Sequence, residues 1–371
     1  MAPVGDHEPS ADRRRVAYPL AVKEKPAATL TQRQLNRALL ARQSLLARAP
    51  RTIPAALDSM GGLQAQYAPS MYIGLWSRVA DLSRPSLTRL LEERSVVQGT
   101  LLRSTIHLVT AADYWPWALA VRQARRDWYL RVARDGPGAD DLARAADRLR
   151  AALALDGPMR ATDVEAAVGK PYRLGIGLWM DLVRVPPSGT WERRRADLYA
   201  TAEDWLGPPP ASLTAEQGQE LLVRRYLTAF GPATRAEIAN WAGLPVRALA
   251  PIFAGMQLRA FRTEDGAPLV DLPGGELPGA GGSAPVRFLP TWDATLLAHA
   301  RRTQILPERH RDKVFNVRMP QSVGTFLVDG AVAGSWRWDG GGVRLSEFDG
   351  LPAAVRREVD AEAEELAAFH R

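Results

Sequence analysis

Gly231-Pro-Ala-Thr-Arg-Ala-Glu-Ile-Ala-Asn-Trp-Ala-Gly243 encloses a short acidic-then-aliphatic helix between a Gly-Pro step and a closing glycine. Leu244 to Gly255 reads as a further short helix, and Leu258 to Val270 as two strands around the turn Thr263-Glu-Asp-Gly266. Helices followed by a hairpin in this order specify a winged helix, a module that often contacts DNA. The layout recurs upstream. Gly157-Pro158 to Gly169 is followed by the apolar stretch Leu174 to Leu182, then Val183-Arg-Val185, a Pro-Pro-Ser-Gly turn and Trp191 onward. Both Gly-Pro-to-Gly segments are 13 residues long, and Asp163-Val164 aligns with Glu237-Ile238. The capping pairs Thr162/Glu165 and Thr234/Glu237 stand two residues out of register. The repeat therefore rests on its glycines and its helices.

Working outward, residues 1 to 28 carry mixed charge, prolines and little apolar periodicity, and read as a mobile extension. Thr31 and Gln34 form a capping box flanked by Leu30 and Leu35, opening a helix expected through about residue 48. Another helix is expected over Ile53 to Gly61. Arg103 to Val109 alternates and is rich in β-branched residues, as a strand should be. Thr110 and Asp113 cap a long helix to about Arg134. Near the end, Phe315 to Val317, Gly324 to Val328, Val332 to Trp338 and Val343 to Leu345 are expected strands, and Pro352 to Phe369 a closing helix. The fold expected is mainly α with small sheets. Its units are an N-terminal winged-helix-like one over 29–150, a second winged helix over 151–215, a third over 216–284, and a C-terminal α/β portion over 285–371.

The 371 residues suffice for several self-supporting cores. Cysteine is absent, which excludes disulfides, a cysteine nucleophile and a thiolate metal site. The five histidines are scattered without ligand spacing, so neither metal nor cofactor is expected. No apolar run reaches the roughly 20 residues of a membrane span and no signal peptide opens the chain, so a cytoplasmic monomer is expected. The net charge of +7 favours a polyanionic partner. Because arginine supplies nearly all of that charge in an alanine-rich chain, placement must decide the matter.

Gly62-Leu-Gln64-Ala-Gln66-Tyr67 stands out, with two amides flanking a small apolar residue just before Pro69. On extended backbone the two side chains share a face, whereas on a helix they point about 200° apart. Pro69 biases Ala68 away from helix, which favours the extended form. The competing reading is a solvated helix end. The run Leu30 to Arg78 containing Leu63-Gln-Ala-Gln66 and Gly74-Leu-Trp76-Ser-Arg78, together with Arg103-Ser-Thr105-Ile-His107-Leu, Phe288-Leu-Pro-Thr-Trp-Asp293 and Arg301-Arg302-Thr303, resembles the winged-helix DNA glycosylases of the AlkZ and YcaQ type. That resemblance covers nearly everything after residue 29. It implies three tandem winged helices in a C-shaped body with a basic channel for duplex DNA, and base excision by Gln64 and Gln66. Glutamine rather than an acid at residue 66 points to the AlkZ-like branch, hence to bulky adducts or crosslinks. Trp292 departs from the more usual phenylalanine.

The chemistry agrees. A purine alkylated at N7 departs as a neutral base and needs no general acid. An amide carbonyl can hold water and face a developing oxocarbenium ion. A base crosslinked to the opposite strand cannot flip fully out, so an open channel suits it better than a tight pocket. Several other residues have two readings. Arg122, Arg125 and Arg126, beside Trp115, Trp117 and Trp128, either track phosphates or form a solvated face. Arg193-Arg194-Arg195 sit in or beside the second wing and either touch DNA or are simply solvated. His107 supports the active site or fills the core, and Asp293 orders the glutamines or caps a helix. Arg103 joins the expected DNA contacts. The expectation is a monofunctional, cofactor-free glycosylase acting on duplex DNA with alkylated or crosslinked bases, in repair or in self-resistance to an alkylating natural product. Its rivals are a non-enzymatic winged-helix regulator and a scaffold that binds damaged DNA without cutting.

Overall fold

The computed structural model describes residues 28–299, 303–315 and 322–371. The expected extension 1–28, apart from Ala28, and most of the strand expected at 315–317 lie outside these residues, as do Arg301 and Arg302. The described residues begin with β1 (Thr29–Leu30), α1 (Gln32–Arg42), α2 (Ile53–Met60), β2 (Leu63–Gln64), α3 (Ala68–Trp76), α4 (Arg84–Glu92), β3 (Val96–Thr100), β4 (Ile106–Thr110) and α5 (Ala111–Val132). It continues with α6 (Ala139–Asp156), β5 (Met159–Arg160), α7 (Ala161–Val168), α8 (Ile176–Trp179), β6 (Leu182–Arg184), β7 (Leu198–Thr201) and α9 (Ala202–Leu206). A third group comprises α10 (Ala215–Phe230), α11 (Arg235–Ala242), α12 (Val246–Gly255), β8 (Arg259–Thr263) and β9 (Pro268–Asp271). The remainder is β10 (Arg287–Leu289), α13 (Ala294–Leu297), α14 (Arg311–Val314), β11 (Gly324–Val328), β12 (Ala331–Trp338), β13 (Val343–Glu347) and α15 (Ala353–His370).

Local sequence accounts for the helix starts. Thr31 and Gln34 exchange the reciprocal bonds of a capping box, and so do Thr234 and Glu237. The two Gly-Pro segments each yield an eight-residue helix, α7 and α11, at equivalent positions. Thr162 does not cap α7, since Arg160 occupies that place without a side-chain bond, and the cap mismatch disappears. Helix α1 ends at Arg42, short of the expected residue 48, because Ser44 turns to φ 53° and the Gln43 amide donates to the carbonyls of Met60 and Ala229. Strand β10 carries no alternating pattern in the sequence and was not expected.

Two pairings join these groups. A six-stranded sheet runs β2-β4-β3-β6-β7-β5, so the hairpin of the first group and that of the second form one surface through Gln98↔Arg184 and Gly99↔Val183. In the third group, β8 pairs with β9 and takes β1 on its other edge in parallel, which ties the start of the described chain to that group. Helix α6 packs through Ala145, Leu149 and Leu153 onto Val164, Val168, Ile176 and Met180, so it belongs with the second group. The last four strands form an antiparallel sheet, and α15 buries Val359 and Leu366 with Phe288, Phe326, Ile73 and Trp76. Among the described residues, no helix is long and apolar enough to cross a membrane.

One buried cluster fastens α1 to the third group. Asp271 is fully buried and receives both terminal nitrogens of Arg42, at 2.9 and 2.8 Å, with Arg259 at 3.1 Å. Removing the carboxylate strands a buried guanidinium, a loss of about 3–5 kcal/mol. We expect Asp271→Ala to lower the unfolding free energy obtained from urea denaturation by that amount without changing secondary structure. A shift below 1 kcal/mol would show the cluster to be solvated.

Candidate active site

Helix α2 ends at Gly61, and Gly62 follows at φ 67°. A Cβ at Gly62 would stand 3.1 Å from the Leu108 carbonyl oxygen and 3.2 Å from Trp117, so only glycine lets the chain turn this tightly beneath β4. The turn delivers Leu63 and Gln64 into an antiparallel pairing, Leu63↔Leu108 and Gln64↔His107, which Ala65 extends by donating to the Ile106 carbonyl at 2.8 Å. The motif backbone is therefore extended, for a different reason from the one the sequence suggested. Pro69 does not repel Ala68 from helix; it sits in the first turn of α3, where a missing N–H costs nothing. Pairing with β4 is what extends the glutamines.

The two amides differ in engagement. Gln66 is exposed, and its Oε1 accepts the Ile106 N–H at 2.7 Å, filling the ladder position that the backbone vacates as it bends. Gln64 is 7% exposed, and its amide is not among the sealed atoms left without a partner. Opposite Gln64 on the same face of the sheet lies His107, buried against Trp117 at 6.3 Å between ring centroids. Burial, reinforced by the charge of Arg103, pushes the His107 imidazole down to about 3. The ring is neutral at working pH. Its Nδ1 lies 3.1 Å from the Thr105 carbonyl, so Nδ1 carries the proton and Nε2 keeps its lone pair.

The turn between β3 and β4 holds two consecutive residues without glycine, Arg103 at φ 50° and Ser104 at φ 59°. Such conformations cost of the order of 1–3 kcal/mol each and persist where surroundings enforce them. The Arg103 guanidinium donates to the Trp241 carbonyl of α11, so Arg103 braces this turn against the third group. Arg125 is withdrawn from the expected DNA contacts, because it is buried and donates to the Thr100 carbonyl. Arg122 pairs with Asp181 at 2.6 Å, and Arg126 donates to the Leu178 and Trp179 carbonyls. Arg122 and Arg126 fasten α5 to the second group, and Arg125 ties it to β3. Asp293 does not reach the glutamines; it caps α13 and binds Arg78 at 2.8 Å, just beyond the far end of α3.

Arg193, Arg194 and Arg195 are exposed on the loop between β6 and β7. With Arg160, Ser188 and Asp197 they line an open cleft of about 360 Å³. The loop is fixed at its root: Gly189 stands at φ 73°, and its carbonyl accepts the Gln98 amide from β3 at 2.9 Å. Arg194 donates to the Tyr67 hydroxyl at 3.2 Å, joining this basic loop to the residue after Gln66. Sequence reading missed Gln98 and Tyr67, whose partners lie 91 and 127 residues away.

The loop also leans on α15. His370 stacks on Trp338 at 4.4 Å and meets Trp191 edge-on at 5.0 Å. Burial, then Arg194 and Arg84, push its imidazole down to about 4. A histidine whose folded pKa is depressed contributes stability above its unfolded value near 6.5 and loses it as pH falls toward the folded value. We expect the Tm drop between pH 7 and 5 to shrink in His370→Phe, which keeps a ring and removes the titration. An unchanged drop would assign the acid sensitivity elsewhere.

A family model described as DNA glycosylase AlkZ-like matches residues 57–369. No curated protein matches the chain. Among solved structures, the Streptomyces sahachiroi DNA glycosylase AlkZ is similar with a TM-score of 0.77 and 19% identity, over 92% of this chain and 97% of that one. At that identity the likeness speaks for the fold, while the family match spans both glutamines, His107 and the basic loop. The chain belongs to the AlkZ-like DNA glycosylase family.

Proposed function

We propose that this chain hydrolyses the N-glycosidic bond of N7-alkylated purines in duplex DNA, as a monofunctional glycosylase that needs no metal or cofactor. The observation that carries this reading is the paired presentation of Gln64 and Gln66 at one strand end. One amide faces a neutral histidine, and the other is clamped by the Ile106 N–H. An N7-alkylated purine leaves as a neutral base, so the site needs no strong acid. What it must do is stabilise positive charge at the sugar and hold a water. Two carbonyl dipoles supply the first. His107, kept neutral, adds no opposing charge, and its Nε2 lone pair is available to a water.

The three helical groups are read as tandem winged helices in a C-shaped body that cradles the duplex. In each, helices are followed by a two-stranded hairpin: β3–β4, β6–β7 and β8–β9. Arg193, Arg194 and Arg195 are the proposed phosphate contacts of the second wing. Because Gln66 stands exposed at the strand end, we read the site as able to attack a base tethered to the opposite strand without full extrusion. This extends the proposal to unhooking of interstrand crosslinks and to self-resistance against an alkylating natural product.

The test is incubation with a duplex carrying N7-methylguanine, followed by alkali to reveal abasic sites. Loss of one preorganised polar contact commonly costs about 10² to 10³-fold in rate. We expect Gln64→Ala to show a single-turnover loss of that order, and Gln66→Ala a smaller one, since part of the Gln66 carbonyl is committed to Ile106. Equal rates for the parent and Gln64→Ala would refute the assignment.

Phosphate contacts displace condensed counterions, so affinity for undamaged duplex should fall steeply between 50 and 200 mM salt, in the manner usual for basic surfaces. Replacing Arg193 and Arg195 with Ala should flatten the slope by about two phosphate equivalents. A slope identical to the parent's would remove this loop from the interface.

A further inference from the structure

We propose that Tyr67 is the platform on which the nucleobase next to the excised one stacks, and that Arg194 sets the orientation of its ring. The inference rests on the glycosylase reading above and deepens it. Three observations carry it. Tyr67 is 43% exposed, one of few large apolar side chains left in solvent among the described residues, and it follows the exposed Gln66 just before the chain turns inward at the buried Ala68. Its mount is rigid: Tyr67 is the N-cap of α3, its carbonyl accepts the Ser70 N–H at 2.9 Å, and Pro69 fixes the first turn. Its hydroxyl is held by Arg194, whose guanidinium also lies over the Trp191 ring at 5.8 Å and lines the basic cleft.

An aromatic ring on a stiff backbone, exposed beside clustered arginines, has the composition of a surface that stacks nucleobases while its neighbours hold phosphates. Tyr67 directly follows Gln66, and its hydroxyl is tied to the arginine loop, so a strand whose sugar meets Gln66 and whose phosphates run along Arg193 to Arg195 passes the exposed ring. A stacked neighbour would hold the helix open at the lesion while the damaged base stays partly in the stack, as a crosslinked base must.

The test compares Tyr67→Phe, Tyr67→Trp and Tyr67→Ala with the parent in two assays. Single-turnover excision from an N7-methylguanine duplex reads the effect on reaction. Fluorescence of a 2-aminopurine placed beside a stable abasic analogue reads stacking without any excision. Stacking on one aromatic is commonly worth about tenfold or more in affinity. We expect Tyr67→Ala to lose at least that in duplex affinity and in rate, and to abolish the 2-aminopurine change on binding, with an unaltered Tm. Phe and Trp should retain both within about threefold, because the ring stacks and the hydroxyl only steers it. The proposal is overturned if Tyr67→Ala matches the parent in both assays, or if Tyr67→Phe is as impaired as Tyr67→Ala, which would make the hydroxyl the working group. Should the parent excise nothing, the glycosylase reading falls, and the 2-aminopurine arm still decides the role of Tyr67.

Discussion

The register Gln64↔His107 is the constraint on which the rest of the site depends. Side chains alternate along a strand, so slipping β2 by one residue would turn Leu63 and Ala65 toward the histidine and send both glutamines to the opposite face. Three features hold that register. Gly62 permits the close turn beneath Leu108, Ala65 pairs with Ile106, and the Gln66 side chain takes the next N–H. The strand is only two residues long, and its position comes from what flanks it.

A two-residue strand needs a stiff partner, and β4 supplies it. It pairs along its full length with β3, which in turn carries the second group through β6. The turn joining β3 to β4 is strained at Arg103 and Ser104 and is braced by α11. All three helical groups thus bear on the ladder that carries Gln64. The same economy explains the arginines. Those on α5 join groups together, whereas those on the second hairpin loop stay exposed to water, with Arg195 beside Asp197 at 3.0 Å.

Much of this was legible in the sequence wherever the cause is local. The capping boxes at Thr31 and Thr234, the left-handed glycine closing α2 and the long helix after Thr110 follow from residues within one turn of each other. The glutamine motif could be read as extended, yet the partner that extends it lies more than forty residues away and leaves no mark on the motif itself. Arg125 looked like one tooth of a basic stripe with Arg122 and Arg126. Its burial is decided by the second group folding over α5, which periodicity cannot reveal. Asp293 was judged from its place in a motif, and its bond to Arg78 across 215 residues is equally invisible locally. Tyr67 was quoted as the end of the motif and passed over, because exposure is a property of the fold.

The central claim is that two uncharged amides, held in register against a neutral histidine, carry out excision. Its most direct measurement is single-turnover release of N7-methylguanine from duplex DNA by the parent and by the double variant Gln64→Ala, Gln66→Ala, at saturating protein and with matched Tm and duplex affinity. The account predicts alkali-labile sites accumulating with the parent, and only spontaneous depurination with the double variant. Release at the parent rate by a folded, DNA-bound double variant would contradict it.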